Sequence, residues 1–310
     1  MKLKDGLNEL SKKVIVITGP TAIGKTDISI EIAKKLNTEI INADSSQFRR
    51  GLNIGTAKID LESIEITHHL IDIIKIDDKF SIKDFQELAR TKINELHKNK
   101  KIPILVGGSG LYINSVIGDY ELDEVTRDVE IEEEMYKDYN NLTLHNLLSE
   151  LDFESSKKIH PNNRRRVLRA IQRAKDGVKI SEAKSGNKLI YDCLIIQLTT
   201  PRENLYERIN KRFSIMITDG WLDEVKKLKA SGYDLANIKD IGYKELSLYL
   251  DGEISYEEAN EEIKKKTRNY AKRQITWFNN KMDCINVNVD YENINNTVTE
   301  ILDIINKFIN

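Results

Sequence analysis

The sequence predicts an α/β fold: a parallel-sheet core built on a phosphate-binding loop, interrupted by a mostly helical insertion. Three observations predict it. Residues 19–26 read Gly-Pro-Thr-Ala-Ile-Gly-Lys-Thr and fit G-x-x-x-x-G-K-[ST]. The run Val14-Ile15-Val16-Ile17 just before suits a buried parallel strand, and Ile28, Ile32 and Leu36 just after recur along one helical face. Strand-like and helix-like segments then alternate, with glycine loops at strand ends, which places a ligand crevice at that edge of a parallel sheet.

The loop comes first in the chain. Gly19 and Gly24 let the backbone curl so that N–H groups point at phosphate oxygens, and the following helix adds the partial charge of its N-terminus. Gly19, Pro20, Thr21, Ala22, Ile23, Gly24, Lys25 and Thr26 are thus the expected diphosphate contacts, with Lys25 a mobile cation and Thr26 a hydroxyl suited to Mg²⁺. The core is P-loop NTPase-like, and its default ligand is a nucleoside triphosphate.

A second strand is expected over 39–43, running into Asp44-Ser45-Ser46-Gln47. A further strand-like segment carries Ile71, Ile73, Ile74 and Ile76. Ser81-x-x-Asp84 opens a helix whose apolar stripe is Phe85, Leu88, Ala89, Ile93 and Leu96. A strand over 102–106 leads into Gly107-Gly108-Ser109-Gly110. Near residue 119 the texture changes to dense acids, then short helices. The core is therefore assigned to 1–119 and 188–310, and the helical insertion to 120–187. Strand signal returns over 190–198. Helices are expected over 202–216, 220–230, 256–279 and 292–308, with an edge strand at Ile285, Val287 and Val289.

Length and composition bound the rest. A chain of 310 residues supports one or two domains. A net charge of −2 means that any nucleic-acid binding rests on local patches. Cys193 and Cys284 have neither metal spacing nor disulfide density, so both are expected as core residues of a reduced, cytoplasmic protein. No apolar run reaches membrane-spanning length, and the first residues lack a signal-peptide pattern. The five histidines show no zinc-ligand spacing.

Asp44, at a strand end beside the phosphate loop, can act as a base, hold Mg²⁺ or cap a turn. Ser45, Ser46 and Gln47 add hydrogen-bonding groups suited to a polar ligand such as a nucleobase. Ser109 offers a hydroxyl at the same sheet edge, in a glycine loop open enough for a ligand to approach the backbone. In the insertion, residues 164–173 hold five arginines and no acid. Arg165, Arg169 and Arg173 share a face, while Val167, Leu168 and Ile171 can pack. This is either a solvated face or a phosphate-binding one. On the late helix Lys264, Arg268 and Lys272 fall on one stripe with Tyr270, Trp277 and Phe278 interleaved, a pattern suited to RNA. Trp277 and Phe278 are expected in the core.

In their order and spacing these segments resemble the tRNA dimethylallyltransferases, also called tRNA isopentenyltransferases. The resemblance runs through Gly19–Thr26, Asp44–Gln47, Ile54-Gly55-Thr56-Ala57-Lys58, His68–Asp72 and Gly107–Tyr112. It continues through His160-Pro161-Asn162, Arg165–Arg169, Leu205–Ile209, Ile241–Leu246 and Thr267–Trp277. Phe48 and Arg49 stand where the family usually has Val-Tyr, Asn53 where it usually has Asp, and Ser109 where it often has Thr. No zinc-finger extension is present, as in the bacterial form.

The resemblance implies transfer of a dimethylallyl group from dimethylallyl diphosphate to N6 of the adenosine just 3′ of the anticodon, in tRNAs reading codons that begin with U. It implies Asp44 as general base, Arg212 near the departing diphosphate with Arg208 the alternative, and Ser109 beside the target nucleotide. Mg²⁺ is the implied cofactor. The tRNA anticodon stem-loop is the implied partner, gripped by Asp44, Ser45, Ser46, Gln47 and Ser109, by Arg165, Arg166, Val167, Leu168 and Arg169, and by Arg268 and Lys272. The chain is expected to work as a monomer. The rivals are an ATP-dependent small-molecule kinase, an isopentenyltransferase acting on free adenine nucleotides, and a phosphate-loop RNA-binding protein without transferase activity.

Overall fold

The computed structural model describes residues 12–122, 129–183, 186 and 188–310. They fall into two compact units, Met1–Ile117 with Leu189–Asn310, and Gly118–Lys188.

The larger unit is a six-stranded parallel sheet wrapped by helices. Its strands are β1 Lys13–Thr18, β2 Ile40–Asn42, β3 His68–His69, β4 Ile104–Gly107, β5 Asp192–Thr199 and β6 Ile285–Asn288, in the spatial order β3-β2-β4-β1-β5-β6. Central β1 is buried on both sides, and its alternation sorts two cores. Ile15 and Ile17 pack with Ile28 and Ile32 of α1 (Lys25–Leu36) and with Val298, Ile301 and Ile305 of the final helix, Ile294–Ile309. Val14 and Val16 face Phe85 and Ile93 of the helix Ile82–Lys98, and Phe278 of the long helix Tyr256–Lys281. The expected capping box forms: Ser81 Oγ accepts from Asp84 N–H, and the Asp84 carboxylate from Ser81 N–H at 2.7 Å.

Two expectations fail here. The segment 71–76 is not a strand, because Leu70 and Asp72 adopt left-handed backbone (φ 63° and 55°), which breaks an extended run. The strand is His68–His69, just upstream, and Ile74 keeps only an isolated bridge to Arg49. A helix absent from the sequence reading, Tyr243–Leu250, begins after Gly242, whose N–H donates to the Glu245 carboxylate at 2.9 Å. Cys193 and Cys284 are free and partly buried, and burial pushes their thiols up to about 12 and about 11.

The smaller unit contains helices Val129–Met135, Asn141–Leu151, Phe153–Lys158 and Arg164–Lys175. Its core joins Leu144 and Leu148 to Val167, Leu168, Ala170 and Ile171. Buried Asp152 staples it: the carboxylate accepts from the backbone N–H and hydroxyl of both Ser155 and Ser181. Among the described residues no helix is long and apolar enough to cross a membrane.

Candidate active site

The phosphate loop leaves the C-terminal end of β1 and is held from both sides. Thr21 N–H donates to Gln274 Oε1 at 2.8 Å, and Gln274 Nε2 donates to Gly108 O at 3.0 Å. One amide on the long helix thus locks the loop to the end of β4. The helix Arg202–Thr218 approaches from the other side. Arg208 Nε donates to Ala22 O at 2.9 Å with its guanidinium over the Tyr291 ring, and Arg212 Nη1 donates to Thr21 Oγ1 at 3.2 Å. Both arginines therefore meet the loop, one helical turn apart.

Lys25 Nζ donates to the carbonyls of Gly19 and Pro20 at 3.0 and 2.9 Å. Burial depresses its ammonium to about 8; the Asp44 charge opposes that shift and Arg212 adds to it. Arg212 is likewise lowered by burial, with Asp44 working the other way.

Asp44 follows β2. Strand β4 lies between β2 and β1, so Asp44 is one strand removed from the phosphate loop instead of next to it. Asp44 nonetheless lines one cavity with Lys25 and Thr26 of the loop, and the intervening strand end is bonded on both sides: Ala43 N–H donates to Val106 O at 2.7 Å, and Thr18 Oγ1 to Gly107 O at 2.9 Å. Asp44 Oδ1 accepts from Ser46 N–H at 3.1 Å. Ser45 Oγ lies 3.4 Å from Ser109 Oγ. Burial, then the Asp44 charge, raise the Tyr270 phenol above its usual range. Gln47 Nε2 reaches Ala57 O at 3.4 Å.

The glycine loop at 107–110 does not open the backbone to a ligand, as its composition suggested. A Cβ on Gly108 would lie 2.1 Å from Gln274 Nε2, and one on Gly110 would lie 2.1 Å from the Trp277 ring. These glycines admit the long helix to the sheet edge, which is why Trp277 is a packing residue.

Two adjoining cavities result, sharing Thr21, Ala22, Asp44 and Arg212. One, of about 490 Å³, is lined by Gly24, Lys25, Thr26, Arg208 and Lys211, a cationic cradle for an anion. The other, of about 300 Å³, is lined by the polar residues Ser45, Ser46, Asp240, Tyr270 and Arg273. Its lining also includes the apolar side chains of Ile209, Phe213, Met216 and Trp221. Asp44 and Arg212 sit where the two meet, an arrangement able to transfer an apolar group off an anionic leaving group.

The sequence reading missed several residues of this site. Glu224 carries the 53–55 turn, accepting from the N–H groups of Asn53, Ile54 and Gly55 and from the Tyr243 hydroxyl at 2.7–3.2 Å. Nothing in the sequence marks it. Asp240 precedes the Ile241-Gly242-Tyr243 segment, and Gln274 lies within Thr267–Trp277; both were legible only as neighbours of motifs.

Of the residues expected to contact RNA, Arg268 is half-buried and donates to Asn210 Oδ1 at 3.4 Å, and Lys272 is exposed. In the smaller unit Arg165 and Arg166 are exposed and Arg169 is half-buried. Val167 and Leu168 are a correction: they are 0% and 1% exposed, because the helix turns its apolar stripe inward. Arg164 is structural, bound to the Glu133 carboxylate and to the carbonyls of Tyr136 and Tyr139.

Residues 47–281 match the family model described as IPP transferase. A tRNA dimethylallyltransferase of Bacillus cytotoxicus is 48% identical over 280 residues, covering 88% of this chain and 89% of the relative. One from Clostridioides difficile is 44% identical over 302 residues, covering 93% and 96%. The crystal structure of a tRNA isopentenylpyrophosphate transferase from Staphylococcus epidermidis superposes with a TM-score of 0.70 at 41% identity, covering 96% of this chain and 99% of that one. A eukaryotic dimethylallyltransferase captured acting on tRNA gives 0.81 at 28% identity, covering 94% and 77%. With the phosphate loop, the Asp44 turn and the arginine-bearing helix all in one fold, the chain belongs to the IPP transferase family, that of the tRNA dimethylallyltransferases.

Proposed function

We propose that this chain transfers the dimethylallyl group of dimethylallyl diphosphate to tRNA. The acceptor is N6 of the adenosine 3′-adjacent to the anticodon in tRNAs reading codons that begin with U, and the products are N6-dimethylallyladenosine and diphosphate. The observation that carries this reading is the placement of Asp44 and Arg212 at the junction of a cationic cavity and a half-apolar one. The names of the relatives support it.

The diphosphate lies in the phosphate loop against Lys25, with Arg208 and Arg212 above. The N6 nitrogen bonds to the allylic carbon as the carbon–oxygen bond to diphosphate breaks, and the amine proton passes to Asp44. An aromatic amine is a weak nucleophile, so stabilising the departing charge supplies much of the rate. The adenine leaves its stack to enter the cavity beside Ser109. Arg165, Arg166 and Arg169, with Arg268 and Lys272, contact the anticodon stem-loop.

Mg²⁺ fits as partner of the Thr26 hydroxyl, which lines the cationic cavity. Among the described residues no group of three or more His, Cys, Asp and Glu is placed to hold a metal. A single protein oxygen completed by diphosphate oxygens and water suits this ion. When bound, it neutralises diphosphate charge. The protein works as a monomer in the cytoplasm.

The test incubates the protein with labelled dimethylallyl diphosphate, bulk tRNA and free adenine nucleotides. Label on tRNA adenosine is expected, and is lost with excess chelator. Label on free nucleotides, or transfer of γ-phosphate from ATP to a small acceptor, overturns the reading.

A further inference from the structure

Glu224, on the helix Trp221–Ala230, lines neither cavity, yet its carboxylate takes three consecutive backbone N–H groups. Oε2 accepts from Asn53 and Ile54 at 3.0 and 2.8 Å. Oε1 accepts from Gly55 at 3.2 Å and from the Tyr243 hydroxyl at 2.7 Å. Each bond is charge-assisted. A neutral amide cannot replace this acid: it offers one acceptor oxygen, and its NH₂ would face other donors.

The turn held in this way is tight. Ala57 N–H donates to Ile54 O at 2.9 Å, Lys58 N–H to Asn53 O at 2.8 Å, and Thr56 Oγ1 to Leu52 O at 2.6 Å. It also lies against two rings: a Cβ on Gly55 would be 2.2 Å from Trp221 Nε1 and 2.6 Å from the Tyr243 oxygen. That placement reaches the site. Gly55 and Thr56 line the half-apolar cavity, and Ala57 the cationic one. Thr56 O accepts from Arg212 Nη2 at 3.5 Å, while Thr21 Oγ1 accepts from Arg212 Nη1 at 3.2 Å. A guanidinium has five donors in a rigid plane, so two anchors on different nitrogens orient it and leave N–H groups for diphosphate oxygens. Both anchors are long, so the orientation depends on where the turn holds the Thr56 carbonyl.

We infer that Glu224 is a positioning residue for Arg212: by gathering the N–H groups of Asn53, Ile54 and Gly55 it sets the Thr56 carbonyl, and with it the plane of the guanidinium that meets the departing diphosphate. Glu224 itself touches neither Arg212 nor the reacting atoms. The inference rests on the role proposed for Arg212 in dimethylallyl transfer.

The test is a double-mutant cycle on single-turnover transfer at saturating dimethylallyl diphosphate and tRNA. Glu224→Gln keeps the shape and loses half the acceptors. It is expected to slow transfer by about 10- to 30-fold, with the Kd of dimethylallyl diphosphate within about twofold of wild type. In an Arg212→Gln background the same change is expected to slow transfer by less than about threefold, because the group that it positions is already gone. A merely structural role gives equal slowing in both backgrounds, and that result overturns the inference. So does a wild-type rate in Glu224→Gln. Circular dichroism and a cooperative melt identify folded variants. If Glu224→Gln does not fold, Tyr243→Phe takes its place in the cycle, since it removes one of the four bonds that orient the carboxylate. It should slow transfer about two- to fourfold in the wild-type background and not at all beside Arg212→Gln; equal effects, or none in either, overturn the inference. A wild-type rate in Arg212→Gln removes the arginine from the reaction and this inference with it. A slow Arg212→Gln with additive effects removes only Glu224.

Discussion

Arg212 reaches the phosphate loop through the Thr21 hydroxyl at 3.2 Å, while Arg208, one turn earlier on the same helix, reaches only the Ala22 carbonyl. The two arginines are therefore not equivalent. Arg212 also lines the half-apolar cavity, which Arg208 does not. Arg212→Gln is expected to slow single-turnover transfer by about 10²-fold or more, as for loss of one group stabilising a departing anion. Arg208→Gln should mainly weaken dimethylallyl diphosphate binding. Rapid-quench measurements on both variants check this, and equal slowing in the two contradicts it.

Asp44→Asn keeps the turn and removes the proposed base. Turnover is expected to fall by about 10²- to 10⁴-fold with tRNA affinity nearly unchanged. Steady-state kinetics with a parallel tRNA binding titration measure both, and near-normal turnover removes Asp44 from the mechanism.

Lys25 gives a pH dependence. Its ammonium is depressed to about 8 in the free protein, and a bound diphosphate raises it. The charged form is the binding form, so the Kd for dimethylallyl diphosphate should be flat below about pH 8. It should then rise by up to about tenfold per pH unit above that value. Lys25→Met should bind more weakly throughout and show no such rise. Calorimetric titrations from pH 7 to 10 test it; a rise that survives in Lys25→Met assigns the proton elsewhere.

The arginine helix of the smaller unit predicts a salt dependence. Arg165 and Arg166 are exposed, and each phosphate contact contributes about 0.7–0.9 to the log–log slope. Replacing both by Gln should flatten the slope of tRNA affinity by up to about 1.4–1.8 and leave dimethylallyl diphosphate affinity intact. Parallel salt curves would make the helix a solvated face.

Asp152 predicts a local stability effect. Its carboxyl is held at about 2 by hydrogen bonds from Ser155 and Ser181, against the cost of its burial. A depressed carboxyl stabilises the fold fully above its unfolded value of about 4, and that contribution is lost as pH falls toward 2. Asp152→Ala removes a helix cap and should cost about 1–2 kcal/mol. Amides of 141–175 should then exchange about five- to thirtyfold faster, read by hydrogen-exchange mass spectrometry on the whole chain. Unchanged exchange would make the staple dispensable.

What was legible in the sequence followed from local pattern. The phosphate loop, its flanking strand and helix, and the capping box at Ser81 are each written in contiguous residues, and each forms locally in the structure. Two kinds of information were not local. The order of strands puts β4 between Asp44 and the phosphate loop, and no periodicity encodes that. The partners of the site, Glu224, Asp240 and Gln274, are single polar residues whose meaning depends on what the fold brings to them. The glycines at 108 and 110 are the instructive case. Read locally they are a flexible loop, and only the approach of Gln274 and Trp277 gives them their purpose.

The Gln274 clamp has a consequence for synthesis of the chain. The phosphate loop is made first, and the amide that fixes Thr21 follows 253 residues later. A ribosome-bound chain whose first strands have paired still lacks the residue that sets its loop, and closing so long a span is slow. A chain still short of Gln274 is thus without the finished anion cradle.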